Sequence, residues 1–202
     1  MTDLTTPAYS FDPNLGTYRG ETVADADPLV ENNWLFPAHS TSVAPPAAAA
    51  GQIAVLDQVA QTWSLMASWF ATPLYLTSSG EPYVLGSTVD GNVFNGLGAL
   101  PAWLTDVARP SDLYVWTAGA WAIDPTLQAN SQAAAAQAQV AQLMAQASLI
   151  TSGLSDAFIA GILSDADQAR YKAWAAYKLA LTQVSQQTGY PATIVWPTAP
   201  TS

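Results

Sequence analysis

From Thr126 to Thr151 the chain runs for 26 residues without a proline or a glycine, and alanine and glutamine dominate the run. A stretch with no backbone breaker, built from good helix formers, predicts one long helix. Asp124-Pro125 precedes it and supplies a capping carboxylate and a residue suited to the first helical position. Val140, Leu143, Met144, Ala147 and Ile150 fall on one face. Residues 129–139 lack large apolar side chains, which predicts either an exposed helix or a stalk. Gly153 is expected to end the helix, and Ser155–Leu163 reads as a short second one.

Ser164-Asp165-Ala166-Asp167 then has a capping-box pattern, with acids suited to a positive helix end. On the third helix, Trp174, Tyr177, Leu181 and Val184 form a stripe flanked by Lys172 and Lys178. Gly189 and Pro191 stop it. The chain closes on Ile194-Val195-Trp196-Pro197, read as a strand.

Before Asp124 the pattern is different. Tyr9–Phe11 and Thr17–Val23 flank an Asp12-Pro13-Asn14-Leu15-Gly16 turn and predict a hairpin. Trp34–Ala38 follows without an assigned conformation, Ser40–Pro46 reads as extended and partly polyproline-like, and no helix is expected in residues 1–50. Ile53–Leu56 and Trp63–Trp69 predict a second hairpin around Asp57–Gln61. Tyr75-Leu76 and Tyr83–Leu85 predict a third, and Asp90-Gly91 is a two-residue turn signal. Leu97–Arg109 has no assignable pattern. Leu113–Trp116 and Trp121–Ile123 predict a last hairpin, similar in layout to residues 53–66.

The fold class expected is therefore α+β: an N-terminal β-rich hairpin domain over residues 1–126, then a C-terminal helical region over residues 127–202 with a terminal extended segment. Charge supports that boundary. Residues 1–126 hold twelve acids against Arg19 and Arg109, whereas residues 127–202 hold three acids and three bases, within a net charge of −10.

An acidic chain with so few bases is unsuited to binding nucleic acid, because phosphate neutralisation needs clustered Lys and Arg. With no cysteine there is neither a disulfide framework nor a thiolate metal site. No basic segment followed by an apolar run stands near Met1, so no secretory signal is expected. No apolar run is long enough for membrane insertion.

Catalytic chemistry finds little support. His39 is the sole histidine, which argues against zinc, and no nucleophile-elbow motif accompanies it. Asp25, Asp27 and Glu31 lack the spacing of a calcium loop. No cofactor is implied. Trp174 and Tyr177 read either as core, packed on the 140–150 helix and Trp196, or as an aromatic anchor for a partner. Arg170, Lys172 and Lys178 form the main basic cluster, read as a solvated face or an acidic-partner site. Trp34, Trp63, Trp69, Trp103, Trp116 and Trp121 are a large aromatic load; a β core accounts for most, and sugar stacking is the alternative.

Two groups of residues resemble the bacteriophage tail fibre assembly proteins, small chaperones for trimeric tail fibres. At the front are Tyr9, Asp12-Pro13, Gly16, Gly20, Asp27-Pro28, Trp34-Leu35, Pro37-Ala38, Ser40-Thr41 and Pro45-Pro46, continued by Gly51, Ala54–Asp57 and Trp63. At the back are the acidic helix start, Trp174-Ala175-Ala176-Tyr177-Lys178, Leu181 and Ile194-Val195-Trp196-Pro197. Ala175 stands where the family has Lys or Arg. Residues 70–126 match neither group and read as an insertion specific to this chain.

The resemblance implies a non-enzymatic protein that binds the C-terminal region of the trimeric tail fibre and promotes its folding or trimerisation. It implies work in the host cell cytoplasm during assembly, with retention at the virion tail fibre tip as the other outcome. The partner-binding residues implied are Trp174, Tyr177, Lys178, Trp196, Trp34 and Pro37. A glycan-binding adhesin module, contacting host surface glycan through the Trp-rich front, is the alternative.

Overall fold

The computed structural model describes residues 4–201. The chain divides into two compact units, one ending at Arg109 and one beginning at Pro110. Charge and composition had set the boundary near residue 126. The last hairpin instead clusters with the helices, because it runs into them without a linker.

In the first unit, β1 (Thr5–Phe11) and β2 (Tyr18–Ala26) form the first hairpin, which extends further at its open end than the sequence pattern suggested. β3 (Trp34–Leu35) and β4 (Ser40–Thr41) complete an antiparallel sheet ordered β3-β2-β1-β4. Pro7 sits where β4 does not reach, since β4 pairs only with Tyr9 and Ser10. A residue without an N–H is tolerated on such an edge. The Asp12 carboxylate accepts the backbone N–H of Asn14 and Leu15 and so closes the turn.

β5 (Gln52–Asp57) and β6 (Thr62–Ala67) form the second hairpin. It docks on the first at Gly16, whose carbonyl accepts the Leu56 N–H at 2.9 Å. A Cβ at Gly16 would lie 2.5 Å from the Leu56 carbonyl oxygen, and its φ is +71°. Only glycine satisfies both conditions. Trp63 donates its indole N–H to the Val43 carbonyl at 2.7 Å and meets Tyr18 edge-on at 5.8 Å.

β7 (Leu74–Leu76) and β8 (Pro82–Tyr83) are the third hairpin, and β9 (Thr88–Val89) and β10 (Asn92–Val93) flank the Asp90-Gly91 turn. Both turn residues have positive φ, as a two-residue hairpin turn requires. β11 (Leu104–Thr105) lies in the stretch without a pattern and adds to β7. Leu74, Tyr83, Phe94 and Leu104 form the core here, with Trp69 and Trp103 against it. The Tyr83 hydroxyl accepts the Phe94 N–H at 2.9 Å and donates to the Ser87 carbonyl at 2.7 Å, so its polar end is satisfied inside the core.

The second unit opens with β12 (Tyr114–Thr117) and β13 (Ala120–Ile123), joined by Ala118-Gly119 alone, a tighter turn than expected. Trp116 and Trp121 face each other across the strands, rings 5.2 Å apart and edge-on. α1 (Pro125–Thr151) follows directly, capped by Asp124. α2 (Ser155–Ile159) is shorter than expected, because Gly161 takes φ +71° and turns the chain. The Ile162 N–H then returns to the Ala157 carbonyl, which satisfies an end group of the helix.

α3 (Asp165–Thr182) is capped by Ser164, whose hydroxyl accepts the Asp167 N–H and donates to the Asp167 carboxylate. It ends before Gly189, and one 3-10 turn, Val184–Gln186, carries the chain on. No helix is long and apolar enough to cross a membrane among the described residues.

Candidate functional site

The apolar face read from α1 packs on α3. Ala147, Trp174, Tyr177 and Leu181 form a buried cluster, lined by Val140, Leu143, Met144, Ile150 and Trp196. Trp174 and Tyr177 are buried, 7% and 6% exposed, with rings edge-on at 5.7 Å. Both lie in the α1–α3 core, the first of the two readings open to them. The Trp174 indole N–H is buried and has no hydrogen-bond acceptor among the described residues. An unsatisfied buried donor costs about 1–3 kcal/mol, which the packing of the ring must offset. Trp196 reaches this cluster from the far end of the chain and stays half-buried. Lys178 follows Tyr177 on α3 and is also half-buried.

Ile194–Pro197 is not a strand. Its backbone is held instead by one side chain. Gln187 donates its amide N–H to the Val195 carbonyl and accepts the Val195 N–H, each at 2.8 Å. The amide thus reproduces the two bonds that a neighbouring strand would make. Tyr190 adds a second attachment, its hydroxyl donating to the Ala133 carbonyl at 3.3 Å, and the Tyr190-Pro191 peptide is cis.

The alanine-rich part of α1 is therefore no free stalk. The C-terminal segment lies along it, and Ala136 is only 4% exposed. Alanine permits this close approach because its methyl fills so little space. The fit is incomplete, and three hollows mark the seam. One of about 290 Å³ lies among Gln132, Ala135, Gln139, Pro191, Ile194 and Trp196. One of about 500 Å³ also touches Trp196 and lies among Gln183, Gln186, Gln187, Val195 and Pro197. A third, of about 240 Å³, lies between α1 and the turn after α3. Trp196 lines the first two, whose other polar lining residues are glutamines.

Trp34 and Pro37 belong to the first unit. Trp34 pairs with Ala26 in the β3–β2 ladder and lines a hollow of about 180 Å³ with Leu4, Val30 and Asn33. Pro37 is exposed, and its carbonyl accepts the Ser40 hydroxyl at 2.7 Å. Trp174, Tyr177, Lys178 and Trp196 are thus gathered in one unit, and Trp34 and Pro37 lie in the other.

Three of the front tryptophans are committed to the fold. Trp63 and Trp69 donate to the Val43 and Gly98 carbonyls, and Trp103 stacks edge-on against Tyr83 at 5.1 Å. His39 takes φ +56° and packs edge-on against Phe11. No group of three or more His, Asp or Glu side chains is placed to hold a metal among the described residues. Asp27 instead closes its own loop. The Leu29 N–H is the main cause that draws its carboxyl below the usual value, and the Asn33 amide adds to it.

The Gln187 clamp and the alanine seam were not read from the sequence. A glutamine eight residues before a Trp-Pro pair gives no periodic signal.

Comparison with known proteins bears on this same unit. A family model described as Caudovirales tail fibre assembly protein, lambda gpK, matches residues 88–201. The matched range takes in the whole seam and also residues 88–126, part of the stretch read as an insertion. The prophage tail fiber assembly protein homolog TfaR of Escherichia coli K12 is 26% identical over 187 residues, covering 93% of this chain and 92% of its own. The tail fiber assembly protein of Escherichia phage lambda is also 26% identical over 187 residues, covering 93% and 91%. No solved structure matches.

Proposed function

Because the chain belongs to the Caudovirales tail fibre assembly protein family, we propose that it is an assembly chaperone for a phage tail fibre, binding the C-terminal region of the fibre trimer. The observation that carries this reading is the family match over residues 88–201, which spans the helical unit from end to end. The seam around Trp196 is the contact surface, and Lys178 of α3 adds a charge in the same unit. Trp174 and Tyr177 act from beneath, by fixing the seam's shape. Trp34 and Pro37 are a second contact on the first unit.

A physical need exists for such a helper. Chains that intertwine as a trimer form long-range contacts slowly and expose unpaired strand edges meanwhile. Covering those edges requires complementary surface and no covalent chemistry. The work is done in the host cytoplasm during assembly. The sugar-stacking alternative has less to draw on, because Trp63, Trp69 and Trp103 are spent on the fold.

The test is co-expression with the C-terminal segment of the fibre from the same phage, followed by size-exclusion chromatography with light scattering. A stable complex with a fibre trimer supports a chaperone that remains bound, and a soluble trimer alone supports one that departs. If the fibre's solubility and trimer yield are unchanged and this protein elutes by itself, the proposal fails.

A further inference from the structure

The hollow of about 240 Å³ between α1 and the turn after α3 differs from its two neighbours. Its floor is Leu181 and Val184, each 1% exposed. Ala136, Val140 and Ala141 wall one side, and Tyr190 closes an end. Gln137, Thr182 and Ser185 stand at the rim. No charged side chain lines it.

The hollow follows from composition. Further along α1, Leu143, Met144 and Ile150 reach across to Trp174 and Tyr177. At Ala136 and Ala141 the facing side chains are methyl groups, too short to meet the turn. The walls therefore lack partner atoms, and dispersion contacts are forgone. An apolar floor with hydrogen-bonding groups at the rim is how a protein receives an anchoring side chain and the peptide that bears it. Size narrows the occupant. An apolar cavity of roughly 150 Å³ accepts a benzene ring, and pockets for drug-sized ligands begin at about 300 Å³. The hollow thus suits one large side chain. Its neutral lining excludes a charged one, because burying an unpaired charge is costly.

We propose that this hollow is a socket for a single large, uncharged apolar side chain, aromatic or aliphatic, carried by an extended segment of the fibre's C-terminal region. Gln137, Thr182 and Ser185 hydrogen-bond the backbone of that segment. The inference rests on the assembly reading above and adds the point of attachment.

Ala141→Phe tests it, since the new ring enters the hollow from its own wall. The fibre's C-terminal segment is co-expressed with the wild type, with Ala141→Phe and with Ala145→Phe, an exposed α1 position outside all three hollows. Ala141→Phe is expected to keep the wild-type circular dichroism and thermal midpoint while recovered complex falls at least tenfold. Ala145→Phe is expected to bind as the wild type does. A second readout needs no variant: the Val140 and Val184 methyl resonances should shift when the wild type is saturated with the fibre segment.

If a folded Ala141→Phe protein binds undiminished, or those methyls do not move in a formed complex, the socket is overturned and the assembly reading stands. If the wild type neither binds the fibre nor raises its trimer yield, both fall. Concentration-dependent dimerisation of the protein alone, abolished by Ala141→Phe, would give the socket to a second copy and overturn the fibre assignment.

Discussion

Replacing Gln187 tests whether one side chain seats the C-terminal segment. Its amide makes two hydrogen bonds to the Val195 backbone, both at 2.8 Å and both solvent-exposed. A hydrogen bond contributes about 0.5–1.5 kcal/mol net, and exposure places these two in the lower half of that range. Gln187→Ala should therefore weaken docking of the segment by about 1–2 kcal/mol. At about 1.4 kcal/mol per decade, that raises the open population roughly five- to thirty-fold.

The assay is amide hydrogen exchange at Val195, whose N–H bonds to Gln187. Gln187→Glu sharpens the test. The introduced carboxylate still accepts the Val195 N–H but faces the Val195 carbonyl without a proton to donate. Protonation restores the donor, so the docked state raises the carboxyl's pKa above its unfolded value of about 4.3. Protection at Val195 should then be complete below that value and lost as pH rises through the higher docked-state value. Unchanged exchange in Gln187→Ala, or pH-independent protection in Gln187→Glu between pH 4 and 7, would refute the clamp.

Other outcomes follow from particular contacts. Leu181→Ala, at a position 1% exposed in the α1–α3 core, should cost about 2–5 kcal/mol in urea unfolding. Gly51→Ala and Gly16→Ala separate backbone conformation from crowding. Both glycines have positive φ, but nothing lies within 4 Å of a Cβ at Gly51. Its cost of about 1–2 kcal/mol is partly offset by lost unfolded-state entropy. Gly16→Ala should cost a further 1–3 kcal/mol or so from overpacking against Leu56, and equal unfolding midpoints would contradict this. Asp12, Asp27 and Asp57 are all drawn below the ordinary 3.8, chiefly by backbone N–H groups of Leu15, Leu29 and Ala60 respectively. Their folded values lie below their unfolded ones, so their stabilisation is present above about pH 4 and is lost as pH falls through the folded values. Unfolding midpoints measured from pH 6 to 2 should drop in that window, and replacing all three by Asn should flatten the drop.

What could be read from the sequence was local. Asp90-Gly91 marked its hairpin because two consecutive positive φ values suit few residue pairs. Asp124 and Ser164 marked helix starts through bonds to residues two or three positions on. The face Val140-Leu143-Met144-Ala147-Ile150 was legible because large side chains repeat at helical spacing, and Trp174 and Tyr177 lie against it.

The remainder was set by distant contacts. β11 is two residues long, too short for any alternation, and is defined only by its pairing with β7. Alanine looks the same in a buried row and an exposed one, so the burial of Ala136 had no signature. Charge placed a boundary at residue 126, but compactness follows packing, and the hairpin before α1 belongs with the helices. At the candidate site, the aromatic residues were visible and the amide that holds the Val195 backbone was not.

Asp124 performs two tasks in adjacent atoms. Its backbone N–H closes the last rung of the β12–β13 ladder on the Leu113 carbonyl at 2.8 Å. Its carboxylate caps α1 by accepting the Thr126 and Leu127 N–H groups at 2.7 and 3.0 Å. Ribbon and rod therefore share one residue, and their phases are locked together. Adding one residue after Asp124 would turn the α1 face by about 100° relative to the Trp116–Trp121 pair, and deleting one would turn it the opposite way. Changes in chain length that spare the α1 packing are thus confined to loops elsewhere, and this junction keeps a fixed residue count.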